Sequence, residues 1–260
     1  MTSSQLPFTS ALVTGASSGI GEELTRQLVA AGATVVVVAR RAERLESLAA
    51  ELSGVEVLTA DLGTRKGQDA VAARIADAER PIDLVVNNAG FGTSGEFSTL
   101  DADRLGDEVE LNVAALTRLS HAALAVMVPR RRGWLLNVSS VAGFQPAPSL
   151  AVYAATKAYV LSLSESLHQE VASAGVHVSA LCPGLTKTEF QAVSNSEHYQ
   201  STFPEFMWTT VEQVATAGLE GVAKNRAIIV PGAVYKLVTG AGGVTPRWLK
   251  RALSGVVQRN

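Results

Sequence analysis

The 260-residue chain has little cysteine, no excess of charge and no long apolar run. Its single cysteine, Cys182, excludes an internal disulfide and a thiolate metal site, and its apolar surroundings in the sequence predict that it is buried. The 4 histidines form no pair at helical ligand spacing, so the sequence implies no metal. The 22 basic and 24 acidic residues give a net charge of −2, which does not favour a nucleic-acid partner.

The chain also lacks features that would divide it or direct it to a membrane. No Pro/Gly/Ser linker or composition shift separates a second core, so we expect a single domain over residues 1–260. Residues 1–8 lack the basic start and apolar stretch of a secretion signal, and no run of about 18 uncharged apolar residues follows. A cytoplasmic protein is therefore predicted. The arginines at 130–132 are compatible with a helix cap or a basic binding patch.

Short apolar runs alternate instead with longer segments of helical periodicity. The predicted strands are Ala11–Thr14, Thr34–Ala39, Val55–Thr59, Leu84–Asn87, Trp134–Val138, Val176–Cys182 and Ala227–Val230. Strands joined by helices in this way predict an α/β fold with a doubly wound (Rossmann), seven-stranded parallel sheet and helices on both faces. Ligands of such sheets lie at the carboxyl ends of the strands.

Two segments interrupt the alternation. Residues 185–208 mix turn and polar residues with aromatics, and we favour a substrate lid there over a surface excursion with docked aromatics. Residues 233–260 form a C-terminal extension that includes the basic, amphipathic stretch Thr245–Arg251. This stretch is compatible with a cover over the substrate cleft, a subunit interface or a membrane contact.

A glycine-rich loop follows the first predicted strand. Gly15 permits a tight turn, Gly19 removes the β-carbon that would keep the backbone from a phosphate, and Gly21 lets the next helix lie close to the sheet. The unpaired amides at the start of that helix stabilise an anion without a basic side chain. The loop is compatible with a simple structural corner, but its spacing also suits a dinucleotide pyrophosphate.

Three further motifs follow later strands: Asn87-Asn-Ala-Gly90, then Ser139-Ser140, and then Tyr153 with Lys157. Together with the glycine loop they strongly resemble the short-chain dehydrogenase/reductase family, in its compact single-domain branch, over about residues 10–232. All four motifs occur in the family's order and spacing. The resemblance implies an oxidoreductase that transfers hydride between a nicotinamide cofactor and a carbonyl or secondary alcohol.

The spacing of Tyr153 and Lys157 supports this chemistry independently, because side chains four residues apart share one face of a helix. An ammonium about 4 Å from a phenol favours the phenolate by about 4 kcal/mol at an effective dielectric near 20, which is about three pKa units. Desolvation opposes this shift. We therefore expect Lys157 to lower the pKa of Tyr153, which would act as the general acid/base.

The resemblance implies the remaining catalytic roles. Ser140, rather than Ser139, corresponds to the hydroxyl that binds the substrate oxygen, and Lys157 also corresponds to the residue that binds the nicotinamide ribose. Asn112 corresponds to an asparagine that holds a water in the proton path to that lysine. A single asparagine within a helix is otherwise a local hydrogen-bonding residue.

The end of the second strand predicts which cofactor binds. Enzymes that use NAD place an acidic residue there for the ribose hydroxyls, whereas this chain has Ala39 followed by Arg40 and Arg41. A guanidinium pairs with a phosphate through two parallel hydrogen bonds, so we predict NADP rather than NAD. Arg40 is expected to be the main contact and Arg41 a second, although two solvated arginines at a helix start are the alternative. Ser18 departs from the basic residue that some NADP enzymes have in the loop.

Other predicted cofactor contacts rest on the resemblance. Asp61 and Leu62 correspond to the family's adenine-contacting pair, although Asp61 is also compatible with a helix cap. The turn at Pro183-Gly184 corresponds to the nicotinamide side, and we favour Thr188 over Thr186 as the contact. The complete predicted set is Gly15, Ser17, Ser18, Gly19, Ile20, Gly21, Arg40, Arg41, Asp61, Leu62, Asn87, Ala89, Gly90, Tyr153, Lys157, Pro183, Gly184, Thr186 and Thr188.

The substrate and the assembly are predicted only as classes. Phe91, Phe144 and the aromatics of residues 185–208 favour an apolar ketone, aldehyde or alcohol. The family resemblance implies a homodimer or homotetramer. A dinucleotide-binding redox sensor or regulatory protein without turnover is the alternative function, and it would have no need of the serine, tyrosine and lysine set.

Overall fold

The computed structural model describes residues 6–196 and 203–244, and within them the predicted parallel sheet is confirmed. The strands are β1 (Ser10–Thr14), β2 (Thr34–Ala39), β3 (Val55–Thr59), β4 (Leu84–Asn87), β5 (Gly133–Val138), β6 (Val176–Leu181) and β7 (Ile228–Ile229). They pair in parallel in the order β3-β2-β1-β4-β5-β6-β7. The chain order reverses between β1 and β4, which opens a crevice at the carboxyl ends of these two strands.

Helices cover both faces of this sheet. They are α1 (Gly19–Ala30), α2 (Ala42–Glu51), α3 (Arg65–Ile75), α4 (Ala102–Val109), α5 (Leu116–Arg130), α6 (Ala151–Glu170), α7 (Phe190–Val193), α8 (Val211–Ala223) and α9 (Ala233–Val244). A π-helical turn at Glu110–Ala115 joins α4 to α5. Helices α1, α2 and α8 pack on one face, and α3, α5 and α6 on the other.

The two faces explain why β2 is apolar without alternation. Val35 and Val37 pack into the core beneath α1, α2 and α8, whereas Val36 and Val38 pack into the core beneath α3 and α5. All four are buried. Successive side chains of a strand point to opposite faces, so a sheet covered on both sides requires an apolar residue at every position.

The last two strands are shorter than predicted. β6 ends at Leu181, so that the buried Cys182 follows the strand, and β7 is only Ile228–Ile229. The chain turns away directly afterwards because Pro231 lacks an amide donor and Gly232 adopts a φ of 84°. β7 therefore pairs with β6 at only two positions, Ala180 with Ile228 and Leu181 with Ile229.

The arginines after α5 fix the end of that helix. Arg131 adopts a φ of 51° and donates to the carbonyl of Ser173 (3.0 Å), while Arg132 pairs with Asp83 (3.3 Å). Within the described part of the chain, one continuous helical stretch, Ala102–Arg130, is long and apolar enough to cross a membrane. Much of α5 within that stretch packs into the core beneath the sheet, and core helices meet the same criterion. The predicted basic stretch Thr245–Arg251 lies outside the described residues.

Candidate active site

A cavity of about 680 Å³ lies at the carboxyl ends of the strands, within the size range of small-molecule sites. It extends from the glycine loop along the ends of the central strands to α6 and α9. Most of the predicted site residues line it: Gly15, Ser17, Ser18, Gly19, Ile20, Arg40, Arg41, Asp61, Leu62, Ala89, Gly90, Ser140, Tyr153, Lys157, Pro183, Gly184, Thr186 and Thr188. Gly21, Asn87 and Asn112 do not.

The glycine loop has the conformation that its glycines permit. Gly15 and Gly19 adopt φ angles of 67° and 58°, in the left-handed region that side chains disfavour. A β-carbon on Gly21 would lie 2.3 Å from the carbonyl oxygen of Gly15, so this residue supports the loop from behind rather than lining the cavity. The first-turn amides of α1 have no partners within the helix, which suits the loop to an anion.

The asparagine that supports this loop is Asn88. Its Nδ2 donates to the carbonyls of Thr14 (2.9 Å) and Gly15 (3.3 Å), which ties the loop to the end of β4. Asn87, which was predicted to contact the cofactor, is buried and donates instead to Asn137 Oδ1 (2.9 Å) in the sheet interior. Successive side chains on a strand point to opposite sides. This alternation is the signal in the sequence that could have identified Asn88 instead of Asn87.

The two adjacent serines after β5 have different environments. Ser139 is buried and its hydroxyl donates to the carbonyl of Lys157 (2.7 Å). Ser140 begins a 3₁₀ turn, where its Oγ accepts a hydrogen bond from the amide of Ala142 (3.1 Å). Interaction with the Ser140 hydroxyl also lowers the pKa of the Tyr153 phenol. Ser140 is therefore the serine that presents its hydroxyl to the tyrosine.

Tyr153 and Lys157 meet on one face of α6, as their spacing predicts. The Lys157 Nζ lies 5.6 Å from the centre of the Tyr153 ring and donates to the carbonyl of Val138 (2.8 Å). The Tyr153 ring also packs against Phe190, with the ring centres 5.2 Å apart. The tyrosine therefore has both a buried ammonium group and an aromatic ring as neighbours.

The expectation that Lys157 lowers the pKa of Tyr153 is wrong for the groups of this chain. Burial raises the pKa of Tyr153 to about 12, although the interaction with Ser140 opposes the rise. Burial likewise lowers the pKa of Lys157 to about 8. Both groups lose hydration on burial, which disfavours the charged form of each. The phenol of Tyr153 therefore holds its proton at neutral pH.

Asn112 lies in the π-helical turn, directly behind the cavity. Its Oδ1 accepts from the amide of Phe91 (3.1 Å), and its Nδ2 donates to the carbonyl of Phe91 (2.8 Å) and to Thr156 Oγ1 (3.2 Å). A β-carbon on Gly90 would lie 2.7 Å from that Oδ1. The amide of Asn112 thus holds the backbone after Gly90 in place. Its role in holding a water remains a prediction.

A basic group stands beside the glycine loop at the end of β2. Arg40 is exposed on the cavity wall. Arg41 donates to the hydroxyls of Ser17 and Ser18 (2.9 Å each) and pairs with Glu189 (2.9 Å). Arg41 is therefore not simply solvated at a helix start, whereas Arg40, which was expected to be the main contact, is exposed. The contact with Glu189 could not be found from sequence because 148 residues separate it from Arg41.

The residues after β3 line the cavity, and their contact with adenine remains a prediction. Leu62 is buried, whereas Asp61 is exposed and accepts a hydrogen bond from the amide of Gly63 (2.9 Å). The cap of α3 is not Asp61 but Thr64, whose hydroxyl accepts from the amide of Gly67 (3.1 Å). The side chain of Asp61 therefore has no helix-capping role.

The segment after β6 covers the cavity from the other side. Thr186 is buried, and its hydroxyl bonds to that of Thr209 (3.0 Å). Thr188 lies over the glycine loop, where its Cγ2 would be 3.1 Å from a β-carbon on Gly19. Thr188 is thus the threonine nearer to the predicted phosphate site. Residues 197–202 of the predicted lid lie outside the described residues.

Helix α9, in the predicted C-terminal extension, closes the cavity beside this segment. Tyr235 is buried, donates its hydroxyl to the carbonyl of Met207 (2.8 Å) and accepts from the amide of Leu185 (3.0 Å). A β-carbon on Gly184 would lie 2.0 Å from the Tyr235 ring, so the turn after β6 requires glycine for α9 to dock. The sequence motifs carried no signal for Tyr235.

The sequence and the structure are similar to those of known proteins. The profile of the short chain dehydrogenase family matches residues 9–198. An uncharacterised oxidoreductase of Myxococcus xanthus (strain DK1622) is 38% identical over 229 residues, which cover 86% of this chain and 87% of the relative.

Two solved structures are similar to this chain in fold as well as in sequence. A short-chain dehydrogenase from Sphingobium yanoikuyae in complex with NADPH has a TM-score of 0.81 and 35% identity, over 89% of this chain and 92% of that chain. The bulky-bulky ketone specific alcohol dehydrogenase from Comamonas testosteroni has a TM-score of 0.77 and 30% identity, over 92% of this chain and 95% of that chain.

Proposed function

Because the chain belongs to the short-chain dehydrogenase/reductase family, we propose that it is an NADP-dependent oxidoreductase. It transfers hydride reversibly between the nicotinamide and a carbonyl or secondary alcohol of an apolar small molecule. The observation that carries this proposal is the convergence of Ser140, Tyr153 and Lys157 at one cavity that continues to the glycine loop. A protein that only sensed the dinucleotide would not need these three side chains together.

Two observations support NADP over NAD. Arg40 and Arg41 stand at the end of β2, where NAD-dependent enzymes have an acidic residue, and both line the cavity. The relative from Sphingobium yanoikuyae binds NADPH. Guanidinium groups bind an anionic phosphate through paired hydrogen bonds. The 2′-hydroxyl of NAD is neutral and cannot form this charged pair.

The residues of the site divide the chemistry among them. When bound, a nicotinamide would supply or accept the hydride, and its oxidised form would add a positive charge that favours ionisation of a nearby phenol. Ser140 donates a hydrogen bond to the substrate oxygen, and Tyr153, protonated at neutral pH, donates the proton as negative charge develops on that oxygen. Lys157 binds the ribose hydroxyls and, with Asn112, supports the return of a proton to the tyrosine.

The cavity favours an apolar substrate. The side chains around Tyr153 on the substrate side are mainly apolar, among them Phe144, Leu150, Phe190 and Met207. A similar structure from Comamonas testosteroni belongs to an enzyme specific for bulky-bulky ketones. We therefore assign an apolar ketone, aldehyde or alcohol as the substrate class.

The same proposal includes a homo-oligomer in the cytoplasm. Phe97 and Val109 are 63% and 44% exposed and border a shallow apolar groove with Val113, Val152 and Ala155. Large exposed apolar side chains grouped in this way favour burial against another protein surface. A second copy of the chain is the occupant that the family favours.

The test of the catalytic assignment compares two tyrosines of α6. Tyr153→Phe removes the phenolic proton and is expected to abolish turnover while NADPH still binds. Tyr159→Phe is the control, because Tyr159 is 40% exposed on the same helix and its hydroxyl contacts only Thr117 (3.0 Å) among the contacts described for it. Turnover by Tyr153→Phe equal to that of Tyr159→Phe would contradict the mechanism.

A further inference from the structure

The carboxylate of Glu189 bridges two arginines at the start of α2. Its Oε2 lies 2.9 Å from Arg41 Nη1, and its Oε1 lies 3.0 Å from Arg44 Nη2. Arg41 and Arg44 are three residues apart, so they share one side of the first turn of α2. Together they form a site in which one anion accepts hydrogen bonds from two guanidinium groups.

This site is continuous with the proposed cofactor site. Arg41 also donates to Ser17 and Ser18 of the glycine loop, and both Arg41 and Glu189 line the cavity. A phosphate on the adenosine ribose of the cofactor that binds Arg41 would use the same guanidinium group that the Glu189 carboxylate now occupies. The Glu189 carboxylate therefore lies where the 2′-phosphate of the cofactor is proposed to bind.

The charge and exposure of these groups favour exchange between the two anions. Partial burial opposes ionisation of Glu189, but the hydrogen bond from Arg41 holds its pKa below the ordinary value, so Glu189 is ionised at neutral pH. The Arg41 and Glu189 side chains are 46% and 43% exposed, and ion pairs of that exposure are weakened by water. A phosphate carries up to two negative charges, so it can displace the single carboxylate.

We infer that Glu189 is a specificity-determining residue, which competes with the 2′-phosphate of the cofactor for Arg41 and Arg44. Arg44 is thereby assigned as a further contact of that phosphate. The inference rests on the proposed use of NADP and adds to it a residue that weakens binding of the phosphorylated cofactor. Cofactors that lack the 2′-phosphate leave the ion pairs of Glu189 intact and do not meet this competition.

The test measures binding of two nucleotide probes to the full chain by calorimetry: adenosine 2′,5′-bisphosphate, which carries the 2′-phosphate, and AMP, which differs only in lacking it. Glu189→Gln removes the carboxylate charge with little change in shape. It is expected to bind the bisphosphate about two- to five-fold more tightly, the range of an exposed ion pair, with AMP affinity unchanged. Arg44→Gln is expected to weaken the bisphosphate alone.

Glu205→Gln is the matched control, because Glu205 forms an exposed ion pair with Lys187 (2.7 Å) in the same segment of the chain. It is expected to leave both affinities unchanged. An equal gain in Glu205→Gln, an equal gain for both nucleotides, or no gain for the bisphosphate in Glu189→Gln would overturn the inference. Weaker bisphosphate binding by Glu189→Gln would also overturn it, because Glu189 would then position the arginines rather than compete for them.

The wild-type protein separates this inference from the proposal beneath it. If the wild type binds AMP as tightly as adenosine 2′,5′-bisphosphate, the proposed preference for NADP fails. If the wild type prefers the bisphosphate and Glu189→Gln does not change that preference, only the role of Glu189 fails.

Discussion

Replacement of Gly21 by alanine tests how closely the glycine loop and α1 are packed. The new β-carbon would lie 2.3 Å from the carbonyl oxygen of Gly15 and 2.5 Å from Asn88 Nδ2, closer than real atoms approach. The loop has little room to yield because Asn88 also bonds to Thr14 (2.9 Å). The substitution must therefore displace the loop or the first turn of the helix.

The magnitude follows from two opposing effects. Overpacking costs about 1–3 kcal/mol, and a clash with backbone on one side and a bonded amide on the other belongs at the upper end. Replacing a glycine within a helix by alanine stabilises the helix by about 1 kcal/mol. We expect Gly21→Ala to lower the free energy of unfolding by about 2 kcal/mol. NADPH binding is expected to be lost because the substitution changes the shape of the glycine loop.

Gly106→Ala provides the control, since it makes the same chemical change in α4. A β-carbon on Gly106 would meet nothing within 4 Å, so only the helix preference acts, with an expected gain of about 1 kcal/mol. Urea unfolding and NADPH titration of both variants give the comparison. Equal stabilities, or full NADPH affinity in Gly21→Ala, would refute the packing argument.

Three further predictions concern other parts of the chain. Burial raises the pKa of Glu108 above its ordinary 4.5, so near this pH the folded state binds more protons than the unfolded state. Glu108 therefore stabilises the fold less as the pH rises from acidic to neutral. Glu108→Gln should raise Tm more at neutral than at acidic pH, and an equal rise at both would contradict this. Ser139→Ala should cost about 0.5–1.5 kcal/mol of stability by removing a buried hydrogen bond to the Lys157 carbonyl, whereas Ser140→Ala should lower kcat with Tm nearly unchanged. A loss of stability in Ser140→Ala and a loss of kcat in Ser139→Ala would contradict these roles. Val109→Asp should convert the proposed homo-oligomer to monomer in light scattering, and an unchanged oligomeric mass would exclude this groove as the subunit contact.

The sequence is sufficient to predict those parts of the structure that one local property determines. The unbroken apolar run at Val35–Val38 required a sheet covered on both faces, and the glycine spacing required a loop with φ angles that only Gly15 and Gly19 adopt readily. Helical spacing alone brought Tyr153 and Lys157 to one face of α6.

Other features depend on the folded environment. The pKa of Tyr153 is set by burial, which a spacing of four residues does not report. Glu189 reaches Arg41 only because the segment after β6 folds back over the glycine loop. The choice between Asn87 and Asn88 depends on which side of the sheet each faces as β4 ends.

The central claim is that this chain reduces a carbonyl with hydride from NADPH. The most direct measurement is oxidation of NADPH and of NADH by the wild-type protein over a panel of aliphatic, aromatic and steroidal carbonyls, with the alcohol product quantified. We expect NADPH to be oxidised in an amount equal to the alcohol formed from at least one apolar carbonyl, with a higher kcat/KM than NADH. NADPH that binds without any carbonyl being reduced would contradict the claim and favour a regulatory protein, and a higher kcat/KM with NADH would contradict the choice of cofactor.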